Sequence, residues 1–203
     1  SRSFQNGALT YMEVVQRVLS GYGQSGVTDH ATGGACIPEF LLQYEESDWV
    51  FLRRLASHFG TYLLADATDA CGKVYFGVPE ISYGTVLDRQ GYTMEKDMLH
   101  YARVLEKEGV LSQEASCWNV TVRFFLRMWE TLTFNGIEAV VTAMRLHTEK
   151  GELVYSYVLA RRAGIRREKE KNPGIFGMSI PATVMERSGN RIRVHFEIDP
   201  EYE

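Results

Sequence analysis

LQYEESDWVFLRRLASHFG, residues 42–60, decides how the rest of the chain is read. It reads as the end of a strand, a capped turn, and one short amphipathic helix over 47–60 closed by glycine. Ser47 is placed to accept from a free amide of the first turn, and Glu46 and Asp48 put negative charge at the positive end of the helix dipole. Leu52, Leu55, Ala56 and Phe59 recur at i, i+3, i+4 and i+7 and form one apolar stripe. Arg53, Arg54 and Ser57 are expected mostly off that stripe. Gly60 stands where a left-handed terminal residue is wanted. If the Trp49 ring is buried, Trp49→Ala should cost roughly 3–5 kcal/mol.

Toward the N-terminus, Thr10-Tyr11-Met12-Glu13 is a capping box. It opens a helix carrying Val14, Val15, Val18 and Leu19 that ends near Ser20-Gly21. Residues 21–36 are loop with room for one short strand, and residues 1–36 together form a helical and loop segment. After Pro38, Phe40, Leu42 and Tyr44 suit an edge strand. Beyond Gly60, Thr61–Ala65 and Lys73–Val78 are β-prone runs separated by Asp, Thr and Gly, which predicts a hairpin. Residues 80–92 are extended but poorly patterned. Residues 93–108 fit a helix on Met94, Met98, Tyr101, Ala102 and Leu105 with Thr93 as cap, but extended chain remains open as well.

From Ala115 to Ala163 the residues predict antiparallel sheet. Trp118–Phe125 and Leu126–Phe134 are rich in β-branched and aromatic residues. Asn135-Gly136 is a strong hairpin dipeptide, Ile137–His147 a long strand, and Glu149-Lys150-Gly151 a second turn. Leu153, Tyr155, Tyr157 and Leu159 alternate along the return strand. Residues 161–172 are a charged run without apolar periodicity, expected to be an exposed linker. Toward the end, Ile192, Val194, Phe196 and Ile198 alternate with polar residues after Ser188-Gly189-Asn190, a half-buried hairpin strand.

The segment "QYEESDWVFLRRLASHFGTYLLAD" with "VYFGVPE" resembles the hub proteins of contractile injection systems: phage baseplate hubs, phage late control D proteins and VgrG-type spikes. The signature positions of that resemblance are Gln43, Tyr44, Glu45, Glu46, Ser47, Asp48, Trp49, Phe51, Leu52, Arg54, Leu55, Ala56 and Gly60. "SFQNGALTYMEVVQRVL" and "ETLTFNGIEAVVTAMRLHTEKGELVYSYVLARRAGI" resemble further parts of the family. The resemblance implies an α+β, mainly β fold: a tail-tube-like antiparallel β-barrel with a small helical segment, followed by the start of an OB-type barrel. The implied hub domain covers 37–165, a linker 166–178, and the first hairpin of an OB-type spike module 179–203. Two strands cannot bury a core, so the chain is expected to end inside that module, or the hairpin pairs with the hub or with a partner. For 93–108 the resemblance favours extended chain. It implies a homotrimer whose two barrels per subunit make a pseudo-sixfold ring between tail tube and spike, with tube and baseplate proteins as partners. Assembly in the bacterial cytoplasm and residence in a virion tail or injection apparatus follow. Trp49, Trp118 and Trp129, with the Tyr155-Tyr157 stripe, suit core or subunit interface better than a sugar platform, and Trp129, Tyr155 and Tyr157 are the candidates for the interface.

The composition is compatible. The chain has 203 residues, 45% hydrophobic and 24% charged, with a formal charge of −4, so no global positive charge points to nucleic acid. No apolar run approaches the ~20 residues of a membrane span. Cys36, Cys71 and Cys117 form no metal-type pair, and none of the five histidines lies two to four residues from another. Asp66, Asp69 and Glu80 lack a calcium-loop pattern and suit a turn. Glu45, Glu46 and Asp48 are sequence neighbours at a helix start, not a catalytic pair facing each other across a cleft. Cys36–His58 and Cys71–His58 dyads can be drawn, but nothing selects them. The basic run at 161–171 is interleaved with Glu168 and Glu170 and contains no stacking aromatic. The expectation is therefore no catalytic residue, no metal, no cofactor, no membrane anchor and no specific nucleic acid. A tail-associated cell-wall hydrolase and a carbohydrate-binding module are the alternatives.

Overall fold

Thr10 starts the first helix as its spacing predicts. Its hydroxyl accepts from the Glu13 amide at 3.2 Å, and the Glu13 carboxylate accepts from the Thr10 amide at 2.6 Å. The structure, a computed structural model, describes residues 1–23, 26–66 and 72–199. In chain order it runs β1 (Arg2–Phe4), α1 (Tyr11–Leu19), β2 (Val27–Asp29), β3 (Leu41–Gln43), α2 (Asp48–Ser57), β4 (Leu63–Ala65) and β5 (Val74–Phe76). Then come β6 (Ile81–Leu87), β7 (Tyr92–Lys96), α3 (Met98–His100), β8 (Ser116–Val122), β9 (Glu130–Phe134), β10 (Ile137–Glu149) and β11 (Glu152–Ala160). β12 (Ala182–Ser188) and β13 (Arg191–Phe196) close the series. The fold is mixed α+β and mainly β.

The chain divides into two units, Ser1–Gly77 with Lys169–Glu203, and Val78–Glu168. In the first, α1 contributes Val14, Val15 and Val18 to the core and α2 contributes Phe51, Leu52, Leu55 and Ala56. Phe4, Leu41, Leu63, Val74 and Phe76 come in from the strands. β1 pairs antiparallel with β3, while β5 lies between β2 (parallel) and β4 (antiparallel). The β4–β5 hairpin matches the sequence expectation, but its turn, with Thr68, Asp69 and Cys71, lies outside the described residues. β12 and β13 make an antiparallel hairpin. Its end is tied down by Asp199, which accepts from the Ser3 amide and hydroxyl at 2.5 Å each, and by a Phe40–Phe196 ring contact at 5.5 Å.

The second unit is built on a six-stranded sheet in the order β6-β9-β10-β11-β8-β7. Asn135 (φ 47°) and Gly136 (φ 78°) make the β9–β10 turn, and Lys150 (φ 49°) and Gly151 (φ 85°) the β10–β11 turn. Paired left-handed residues match the twist of the flanking strands, which is why these dipeptides were legible. One face packs Trp118, Val120, Val122, Leu132, Phe134, Ala139, Val141, Tyr157 and Leu159 into a core. β6 and β7 are the two ends of the sheet, and no pairing between them closes it into a barrel among the described residues.

Three expectations change locally. The predicted strands 118–125 and 126–134 are interrupted, because the chain turns at 123–129 to bury Leu126, whose amide donates to the Tyr157 hydroxyl at 2.7 Å. Residues 93–108 are half strand and half helix, since β7 runs to Lys96 and helical turns follow from Met98 to Glu108. Asp97, not Thr93, caps those turns, accepting from the His100 amide at 2.8 Å. The charged run 161–172 is anchored rather than solvated. Arg162 donates to the Val78, Pro79 and Thr131 oxygens at 3.2, 3.0 and 2.8 Å, and Ile165 is buried. Further on, the Glu170 amide donates to the Ser57 hydroxyl at 2.8 Å and Asn172 to the Tyr44 carbonyl at 2.7 Å. Arginine side chains that bond carbonyls need no apolar periodicity, so the pattern gave no warning.

Candidate assembly surfaces

In α2, Ser47 accepts from the Val50 amide at 3.3 Å, and Gly60 closes the helix at φ 62°. Both follow from the sequence. Arg54 and Ser57 are a correction: they are buried, not off the packed side. Arg54 donates to the Leu42 carbonyl at 2.7 Å and to Glu46 at 2.5 Å, so its charge is paired where it is buried. Ser57 donates to the Arg54 carbonyl at 2.5 Å. Gln43, also buried, accepts from Arg2 at 2.7 Å and donates to Asp48 at 2.7 Å. Arg2 and Tyr22 also donate to Asp48. Burial alone would raise the Asp48 pKa, but the hydrogen bonds from Gln43, Tyr22 and Arg2 hold it below the usual carboxylate value.

The signature positions therefore split. Phe51, Leu52 and Leu55 are core residues, and Phe51 stacks on Phe4 at 5.9 Å. Gln43, Asp48 and Arg54 form the polar lock between strand and helix, and Tyr44 is half-buried with its carbonyl engaged. Trp49 is 42% exposed, so the condition for a large Trp49→Ala cost is not met. The first helical turn carries Trp49 away from the stripe.

On the sheet, β10 and β11 continue past the core as a two-stranded arm. Met144, Leu146 and Leu153 extend the apolar face of Val141, Tyr157 and Leu159 beyond the core, and they are 40%, 51% and 50% exposed. Phe125 is exposed too, with its ring edge-on to Tyr155 at 6.1 Å. A contiguous exposed apolar face marks an interaction surface more often than scattered residues do. Of the residues expected in the core or at a subunit interface, Tyr157 takes a core position within the chain: it is 1% exposed and accepts from the Leu126 amide. Burial pushes its hydroxyl pKa up. Tyr155 is half-buried at the root of the arm. Trp129 is half-buried at φ 67°, a rare backbone region for a bulky residue, and its amide donates to the Val141 carbonyl at 2.9 Å. Met144, Leu146 and Phe125 were missed. The alternation of β10 would have placed Met144 and Leu146 on the face of Tyr155 and Tyr157, but only the register shows that nothing covers them.

Other chemistry is sparse. No group of three or more His, Cys, Asp or Glu side chains converges on a metal position among the described residues. Asp66 accepts from the Tyr75 hydroxyl at 3.0 Å, a structural use. His58 lies 3.3 Å from the Tyr11 hydroxyl, and burial, with the Lys169 and Arg54 charges, pulls its pKa from 6.5 to about 4. Cys36 and Cys117 are free thiols.

Solved structures place this fold among those of phage-tail and type VI secretion proteins. The chain is similar to the Escherichia coli c3393 protein, a type VI secretion system component described as structurally similar to the T4 bacteriophage tail proteins gp27 and gp5. The TM-score is 0.70 at 18% identity, covering 98% of this chain and 63% of that one. The 43 kDa tail protein of prophage MuSo2 from Shewanella oneidensis matches with a TM-score of 0.59 at 11% identity, over 80% of this chain and 65% of that one. A tail protein from Neisseria meningitidis MC58 matches with a TM-score of 0.53 at 11% identity, over 81% and 71%. This chain thus spans less than two thirds of the first two. No family model matches the sequence, and no curated protein sequence does.

Proposed function

We propose that the chain is a structural component of a phage tail or a related injection apparatus, and within it a hub protein of the late control D or VgrG type. Its task is geometric. Three copies form a pseudo-sixfold ring that adapts a sixfold tail tube to a trimeric spike. The six-stranded sheet is a tube-barrel element whose open edges are satisfied by neighbouring copies, as repeated edges in a closed ring require. β12 and β13 begin the OB-type spike module. Tube and baseplate proteins are the partners, assembly takes place in the bacterial cytoplasm, and no cofactor takes part.

The observation that carries this reading is the fold shared with the Escherichia coli secretion component over 98% of the chain. The exposed apolar arm is consistent with it. Light scattering on the full-length protein over a wide concentration range tests the ring. A mass of three subunits is expected, and a monomer at the highest concentration overturns it.

A further inference from the structure

Ser57, the last residue of α2, ties a distant piece of chain to that helix. It is 1% exposed, donates to the Arg54 carbonyl at 2.5 Å within its own helix, and accepts from the Glu170 amide at 2.8 Å. Glu170 belongs to an irregular segment, 169–172, that carries the chain toward the β12–β13 hairpin. Asn172 adds a fastening by donating to the Tyr44 carbonyl at 2.7 Å, and the Glu170 carboxylate lies 3.4 Å from Arg53. These ties are polar. Lys169, Lys171 and Pro173 are exposed, and an open cleft of about 350 Å³ between segment and helix is lined by Glu46, Val50, Arg53, Arg54 and Asn172 among others. A segment held this way, without buried apolar side chains of its own, opens locally before the core does.

His58 follows Ser57 in the same turn. Its half-buried ring lies 3.3 Å from the Tyr11 hydroxyl of α1. The charges acting on it are both cations, Lys169 from the segment and Arg54 from α2. Nearby carboxylates are engaged with other groups: Glu46 with Arg54, Glu170 with Arg53, and Glu39 acting on Tyr11. Burial above all, and then the two cations, hold the ring's pKa at about 4 against the usual 6.5. We propose that residues 169–172 form an acid-released clasp: protonation of His58, beside the Arg54 and Lys169 cations, lifts the segment off the C-terminal turn of α2. Lifting uncovers Ser57 and lets water reach the imidazolium next to it. The connection into the β12–β13 hairpin then goes slack, while Asp199 still holds the hairpin's far end on Ser3. The direction follows from proton linkage. The opened state, with the ring hydrated, takes up the proton near pH 6.5, and the closed state only near pH 4. Opening therefore gains as pH falls between those values and is indifferent to pH above them. The clasp is independent of the ring assembly.

Amide hydrogen exchange in the full-length protein, corrected for the intrinsic pH dependence of exchange, tests the clasp. Between pH 7 and pH 5 the Glu170 amide should lose protection about tenfold. The Phe51 amide inside α2, bonded to the Ser47 carbonyl at 2.9 Å, should keep its protection. In His58→Gln the Glu170 amide should stay protected across the same range. Lys169→Gln, at an exposed position that leaves folding intact, should show a smaller loss than the wild type. No loss in the wild type overturns the clasp, and so does an equal loss in His58→Gln. Loss at Phe51 and Glu170 together overturns it as well, because the helix then opens as a unit. If His58→Gln fails to fold, an undiminished loss in Lys169→Gln is the overturning result.

Discussion

The α2 region and the β10–β11 arm use the same kinds of residue in opposite directions. Around α2, Phe51, Leu52 and Leu55 are turned wholly inward, and the polar neighbours are engaged as well, Gln43 with Asp48 and Arg54 with Glu46 and the Leu42 carbonyl. On the arm, Met144, Leu146 and Leu153 continue a core face past the point where the core ends. The comparison teaches that an apolar pattern identifies a face and not what covers it. What separates the two regions is satisfaction of the backbone. α2 is capped at both ends and anchored to the Leu42 carbonyl, whereas the outer edge of β10 past Val141 has no strand beside it among the described residues.

The largest expected effect lies in the α2 region. Phe51 is fully buried and stacked on Phe4, so Phe51→Ala should lower stability by about 3–5 kcal/mol in chemical denaturation. A change below about 1 kcal/mol would mean that the region is not a folding core, and the contrast with the arm would fail. On the sheet, the inward end of the same apolar face is tested by Tyr157→Phe. The ring stays, but the Leu126 amide loses its acceptor inside the core. A loss of about 1–3 kcal/mol is expected. If association changes instead of stability, Tyr157 belongs to the interface after all.

His58 sharpens the comparison through pH. Its ring titrates near 6.5 in the unfolded chain and at about 4 in the folded one. Between those values the unfolded state holds the extra proton, so the contribution is complete above about pH 6.5 and declines as pH falls toward 4. Because the ring is partly exposed, solvent screening limits the effect to about 1–2 kcal/mol. The difference between the stability–pH curves of the wild type and His58→Gln isolates this share from the carboxylates. Parallel curves between pH 6.5 and 4 would show that His58 is hydrated in the folded state.

How much of this was legible depended on the range of the interaction. The Thr10 and Ser47 caps, the Gly60 terminus and the Asn135-Gly136 turn are set by neighbours a few residues away, and each was read correctly. Arg54 was misplaced because its partners are Glu46 and the Leu42 carbonyl, the latter 12 residues off along the chain. Arg162 was misread for the same reason, since its acceptors Val78 and Pro79 are more than eighty residues away. Tyr155 and Tyr157 looked equivalent by alternation. Only the chain turning back at Leu126 buries one and leaves the other half-covered. The length of the arm was hidden because it depends on where β9 stops pairing, which the β10 sequence does not encode.

Trp49 carries the smallest effect and the sharpest test of the contrast. It sits inside the most recognisable stretch of the chain, yet its ring is 42% exposed, more like Met144 on the arm than like Phe51 two residues away. The helix explains this. Two residues turn the side chain by roughly 200°, so a ring at 49 points away from the face that buries 51. Trp49→Ala should therefore cost no more than about 1 kcal/mol, within the range of surface substitutions that remove modest packing. Its indole fluorescence in the isolated chain should be readily quenched by iodide. In the assembled particle, unchanged quenching would leave Trp49 a surface residue, and protection would mean that a partner covers it. A loss of 3 kcal/mol in the monomer would instead put the ring in the core and place the whole of α2 on the inward side of the comparison.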